Sequence, residues 1–124
     1  MDLVVVVMVM ALLVRQRDGE RFVLGDLNLV GRDSACDLCL VDARVSQHHA
    51  RLVFQDARWL VEDLSSRNGS SLNGRPLPPG THRDLSIDDV LVIGTPDETW
   101  QVHDLSPPGL FARSASGAVV TGGG

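Results

Sequence analysis

A chain of 124 residues is one domain, long enough to close a single hydrophobic core without a second one. Its formal net charge of -5 excludes the broad basic face with which nucleic-acid binders release counterions, so no direct contact with nucleic acid is expected. Aromatics make up 4% and Tyr is absent, so the core must be built from Val and Leu, whose branched side chains suit a pleated sheet.

Residues 3–14 are an unbroken apolar run. A membrane-spanning helix needs about 20 such residues, and Asp2 stands where a signal peptide carries basic residues. The expectation is a cytoplasmic protein without membrane contact. Only the second half of this run need belong to the fold, which leaves residues 1–10 as a possible extra or edge strand. Asp18-Gly19 supplies a tight hairpin between Arg15-Gln16-Arg17 and Phe22-Val23-Leu24. After a turn at Gly25-Asp26, Leu27, Leu29 and Gly31 fall on one face of the next strand, and Arg32 stands at its end. Residues 37–41 read as a short strand, and Asp42-Ala43-Arg44 leads into Val45-Ser46-Gln47-His48-His49-Ala50. Val45 is expected to plug into the core, with Ser46 facing outward.

Residues 50–54 and 59–63, joined by a turn at Gln55-Asp56-Ala57, read as a central hairpin. Residues 65–69 form a loop, Ser70-Ser71-Leu72 a brief strand and Asn73-Gly74 a tight turn that accepts left-handed conformations. Pro76, Pro78, Pro79 and Gly80 make the next segment irregular; residues 90–94 read as a buried strand and residues 99–105 as the last one. No stretch sustains a 3.6-residue period. The reading is therefore an all-β, two-sheet antiparallel β-sandwich of about 10–11 short strands with essentially no long helix, occupying residues 1–106. Residues 107–124, rich in Gly, Ser and Pro, read as a flexible tail or linker.

Cys36 and Cys39 make a C-x-x-C spacing with no second pair to complete a zinc site. Three positions apart on a strand, they face opposite sides, so one is expected in the core and the other near the surface. Ser46, His49 and Asp63 can be read as a hydrolase triad, but no G-x-S-x-G elbow carries the serine. The neighbours His48 and His49 point to opposite faces and cannot share an ion. No catalytic residue, metal or cofactor is expected.

Four separated blocks carry the functional signal: Gly31-Arg32; Val45 to Ala50; Asp63-Leu64-Ser65-Ser66-Arg67-Asn68-Gly69; and Asn73-Gly74. Loops at one end of a rigid sheet can bring guanidinium, hydroxyl and carboxamide groups onto one small anion. Their order and spacing resemble the forkhead-associated (FHA) domain, a phosphothreonine-binding module, over roughly residues 12 to 105. The resemblance implies that Arg32, Ser46 and Arg67 hold the phosphate, with the backbone N–H groups of Ser46 and Gln47 adding donors. It implies that Asn68 bonds the peptide backbone and that His49 ties its loop down, with Gly31, Gly69, Asn73 and Gly74 in support. Arg44 and the Thr95-Pro96-Asp97 loop sit where the family reads a side chain beyond the phosphothreonine, and an exposed Arg44 suggests an acidic or polar residue there. The implied partner is a threonine-phosphorylated protein and, behind it, a Ser/Thr kinase. The rival readings are a phosphate-independent assembly module that dimerises through the N-terminal strand, and the sensory N-terminal domain of a larger regulator such as a transcription factor.

Overall fold

The computed structural model describes residues 10–108. Of the possible extra or edge strand over residues 1–10 all but Met10, and of the expected tail over residues 107–124 all but its first two residues, lie outside the described residues. Eleven strands follow one another: β1 (Leu12–Arg15), β2 (Arg21–Val23), β3 (Leu27–Gly31), β4 (Leu38–Cys39), β5 (Ala50–Gln55), β6 (Arg58–Asp63), β7 (Ser70–Leu72), β8 (Arg75–Pro76), β9 (Arg83–Asp84), β10 (Val90–Ile93) and β11 (Thr95–Asp104). They form a six-stranded sheet in the order β2-β1-β11-β10-β7-β8 and a five-stranded sheet in the order β4-β3-β5-β6-β9. All pairs are antiparallel except β3 with β4. The described residues contain no helix, and hence none long and apolar enough to cross a membrane.

The inward faces meet in a core of branched aliphatics around Trp100, with Leu13, Val30, Leu52, Val61, Leu91 and Val102 fully buried. Val45 plugs into it as expected, and β5 occupies the middle of its sheet. Cys36 is buried and Cys39 exposed, also as expected. Asp56-Ala57 and Asn73-Gly74 each place two residues at positive φ between paired strands, the geometry that matches strand twist in two-residue hairpins.

Three local expectations are corrected. On β3 the inward side chains are Asn28 and Val30, while Leu27 is 55% exposed. The amide makes this possible, because Asn28 accepts from Gly25 N and donates to the carbonyls of Gly25 and Leu52, so its burial leaves no polar atom stranded. β4 shrinks to Leu38–Cys39. The last strand begins at Thr95 instead of Thr99, because Gly94 at φ 73° reverses the chain tightly after Ile93. Glu98, buried within this strand, broke the apolar pattern that marks strands in a sequence.

Candidate functional site

Register brings the loops to one end. Across the five-stranded sheet Val30 pairs with Ala50 and Ala50 with Asp63, so β3 and β6 end where β5 begins. Across the other sheet Ile93 pairs with both Ser70 and Thr95. The segments 32–37, 40–49 and 64–69 and the Gly94 turn therefore leave the frame together.

Buried polar groups hold these loops in place. Asp63, 1% exposed, accepts hydrogen bonds from Ser66 N (2.9 Å), Ser66 Oγ (2.6 Å) and Ser70 Oγ (2.6 Å). Burial by itself raises a carboxyl pKa, but these three donors outweigh it and hold Asp63 below the usual carboxylate range. His49, wholly buried, accepts from Ser46 N at Nδ1 (3.0 Å) and donates from Nε2 to Gly69 O (2.9 Å). A carbonyl only accepts, so its partners assign the proton to Nε2. One imidazole thus stitches the 46–49 loop to the 64–69 loop, as its expected structural role requires. With Nδ1 occupied by an amide, His49 is not poised to take a proton from Ser46, so Ser46, His49 and Asp63 do not assemble as a triad.

The expected anion ligands lie on these tied loops. A Cβ on Gly31 would stand 2.1 Å from Gln47 O, so only glycine lets the 46–47 backbone cross the end of β3, where Arg32 N donates to Ser46 O and Asp33 N to Gln47 O. Arg32 donates from Nε to Val45 O (2.7 Å). That bond orients the guanidinium, and its two terminal nitrogens have no partner among the described residues. Ser46 Oγ accepts from Arg67 N (2.9 Å), which leaves its own proton free to donate. Arg67 is exposed and Asn68 donates from Nδ2 to Arg44 O (2.8 Å), its Oδ1 remaining open among the described residues. Gln47 is exposed beside them. The Ser46 N–H, expected as an anion donor, is instead committed to His49.

Arg44 is exposed but not free. It meets Asp42 through Nε and Nη2 (both 3.0 Å) and Asp97 through Nη2 (3.1 Å), and this guanidinium lowers the Asp42 carboxyl to about 2. Thr95 is 2% exposed and supports the turn, whereas the Asp97 side chain is 65% exposed on the rim. Asn73 stays clear of the anion ligands and braces the frame, bonding Asp89 Oδ1 and Val90 N. Gly69 lends its carbonyl to both His49 and Gly94 N. Sequence reasoning missed Ser70, which completes the shell of Asp63, and Gly94, where a Cβ would meet Arg44 O at 2.6 Å and His49 Cε1 at 3.0 Å. A glycine closing a buried apolar strand was the available signal. The thiols also point here: Cys36 Sγ lies 3.4 Å from Gln47 O and Cys39 Sγ 3.5 Å from Arg32 O.

A two-sheet frame that fixes polar loops at one end is a β-sandwich whose candidate ligand-binding groups are carried on loops. The FHA domain profile matches residues 28–94, more than half of the chain, and the chain belongs to the FHA domain family. It is 43% identical over 56 residues to the FHA domain-containing protein FhaB of Mycolicibacterium smegmatis, covering 44% of this chain and 36% of FhaB. It is 34% identical over 58 residues to an FHA domain-containing protein of Arabidopsis thaliana, covering 47% and 15%. The matched segments span between 8% and 36% of the length of the curated relatives. Among solved structures, the FHA domain of the CT664 protein from Chlamydia trachomatis aligns with a TM-score of 0.67 at 29% identity, over 78% of this chain and 99% of that one. The N-terminal FHA domain of Rad53p from S. cerevisiae, solved with a phosphothreonine peptide, aligns with a TM-score of 0.69 at 19% identity, over 78% and 94%, and shares the fold.

Proposed function

We propose that this chain is a phosphopeptide-recognition domain that binds threonine-phosphorylated protein segments through its end-of-sandwich loops and catalyses no reaction of its own. The observation that carries the reading is the pairing of Arg32 with Ser46: a guanidinium oriented from its Nε with both ends open, beside a hydroxyl whose proton is free. A phosphothreonine brings roughly -1.5 to -2 charge and three strong acceptor oxygens, which suits Arg32, Ser46 and Arg67, with the backbone N–H of Gln47 as a further donor. The open carboxamide oxygen of Asn68 is suited to a peptide N–H. Gly31, His49, Gly69 and the Asn73-Gly74 turn hold these groups in place. In this reading residues 1–106 are the cytoplasmic recognition unit, residues 107–124 tether it, and a Ser/Thr kinase creates its ligand.

Charge-assisted hydrogen bonds contribute about 1.5–3 kcal/mol each, and three or four of them less ordering costs leave on the order of 8 kcal/mol, near micromolar affinity. Calorimetric titration with a phosphothreonine peptide and its unphosphorylated twin tests the proposal. Binding is expected only for the former and at least about tenfold weaker, ~1.4 kcal/mol, in Arg32→Ala. Equal affinity for the two peptides, or an unchanged Arg32→Ala, overturns it.

A second reading, phosphate-independent homodimerisation, draws on β2, which ends its sheet with Val23 48% exposed, a feature suited to strand addition. Light scattering of the chain with and without residues 1–10 separates the two readings: dimer loss with retained peptide binding would show two independent functions.

A further inference from the structure

Cys36 and Cys39, the only cysteines of the chain, hold no anion themselves, yet the fold carries both thiols to the backbone of residues placed to do so. Cys36 Sγ donates to Gln47 O (3.4 Å) and Cys39 Sγ to Arg32 O (3.5 Å). These carbonyls are linked in turn. Arg32 O belongs to the peptide group whose N–H, that of Asp33, donates to Gln47 O (3.1 Å). The two S–H donors therefore sit at either end of one peptide hydrogen bond, and that bond fastens Arg32 to the backbone that follows Ser46.

The thiols differ in access. Cys39 is exposed to a reagent in solution and Cys36 is buried; burial, followed by the charges of Asp33 and Cys39, pushes the Cys36 thiol up, so it stays a protonated donor. The segment between them moves at low cost, because Ser34, Ala35 and Asp37 are exposed and solvent-facing hydrogen bonds hold such a turn only weakly. The crossing beside it has no slack: a Cβ on Gly31 would stand 2.1 Å from Gln47 O. A disulfide has no hydrogen to donate and holds its sulfurs about 2.05 Å apart. Closing one here releases both carbonyls and displaces the 32–33 peptide, and with it the alignment of Arg32 on Ser46.

We infer that Cys36 and Cys39 are a redox site, closed to an intrachain disulfide by a low-molecular-weight disulfide, and that closing it weakens phosphopeptide binding. Cys39 loses its proton to solvent and its thiolate attacks one sulfur of the oxidant, whose S–S bond breaks and whose other sulfur leaves as a thiolate and is protonated. Cys36 then gives up its proton and attacks the Cys39 sulfur, and the second oxidant sulfur leaves and is protonated. Two protein S–H groups are oxidised to one S–S bond, and one S–S bond of the oxidant is reduced to two S–H groups. The effect on binding rests on the phosphothreonine reading, whereas the bridge itself rests on the placement of the thiols.

The test equilibrates the whole chain in buffers of glutathione and glutathione disulfide of rising ratio, then reads intact mass and phosphothreonine-peptide affinity in each. In the most oxidising buffer the mass is expected to fall by the two thiol hydrogens, with Cys36 and Cys39 found linked within one chain. Affinity is expected to fall at least about tenfold and to return on reduction with dithiothreitol. Cys36→Ser combined with Cys39→Ser keeps a hydroxyl donor for each carbonyl but cannot bridge. This double variant, its fold checked by circular dichroism, is expected to bind like the reduced parent in every buffer; should it not fold, the reversible change in the parent decides alone. The absence of a bridge at every ratio, a glutathione adduct or a link between chains in its place, or a bridge that leaves affinity within about threefold overturns the inference. So does a folded double variant that loses affinity in step with the parent. A reduced chain that binds no phosphothreonine peptide overturns the reading beneath as well, and because mass and affinity are read separately the two failures are told apart.

Discussion

Two carboxylates are buried among the described residues, one in each sheet, and they are satisfied in different ways. Asp63 in β6 is held by uncharged donors, the hydroxyls and amide of Ser66 and Ser70, within seven residues of itself. Glu98 in β11 is held by Arg15, which lies 83 residues away in β1 and stacks over Trp100, and by the indole N–H of Trp100. A buried charge must be fully hydrogen-bonded in either case. What differs is the span of chain each one binds. The Asp63 network folds a loop back on its own strand and so shapes the recognition end. The Glu98 network crosses the whole sequence and fastens β1 to β11, closing the frame.

This division of labour can be broken by substitution. Glu98→Ala, which leaves the buried indole N–H of Trp100 without an acceptor and Arg15 with Asp18 alone, is expected to cost about 3 kcal/mol in urea unfolding while leaving phosphopeptide affinity within about threefold. Asp63→Ala is expected to cost about 2–3 kcal/mol and to weaken peptide binding more than about tenfold, since Ser66 and Ser70 lose their common acceptor. Should both variants lose affinity equally, the two networks are not separable. Gly31→Ala sharpens the contrast from the backbone side. Its methyl group must displace Gln47 O from 2.1 Å, with an expected cost of about 1–3 kcal/mol and weaker peptide binding, measurable by denaturation and calorimetry.

The smallest effect is a pH dependence. Because the folded-state pKa of Asp63 lies below its unfolded value, its contribution to stability is complete above the ordinary carboxylate range near 3.9 and is lost as pH falls through the lowered folded value. Urea midpoints in Asp63→Ala are accordingly expected to fall less steeply than in the parent between pH 5 and pH 3, values set by about one unit either side of that range. Parallel slopes would remove Asp63 as the titrating anchor.

How much was legible depended on whether a residue's task is local. Asp18-Gly19 and Asn73-Gly74 announce hairpins through their own backbone preferences, and Val45 between two polar stretches announces a plug. The blocks around Arg32, Ser46 and Asn68 were likewise readable from order and spacing. Asn28 was not, because its inward position depends on the carbonyl of Leu52 on a neighbouring strand. The start of β11 was hidden because Glu98 reads as a surface charge until Arg15 is placed beside it. Arg44 looked open until the fold brought Asp97, 53 residues on, within 3.1 Å.

The amino-acid sequence by itself determined the all-β class, most turns and the kinds of side chain offered to an anion, since alternation, turn propensity and donor chemistry are properties of short segments. Tertiary structure alone decided which donors remain open. It committed the Ser46 amide to His49, closed Arg44 between two carboxylates and left Arg32 exposed at both ends of its guanidinium. The physical reason is that availability belongs to a group's surroundings: a donor is free only when no partner from another strand reaches it, and that is settled when the sheets pack.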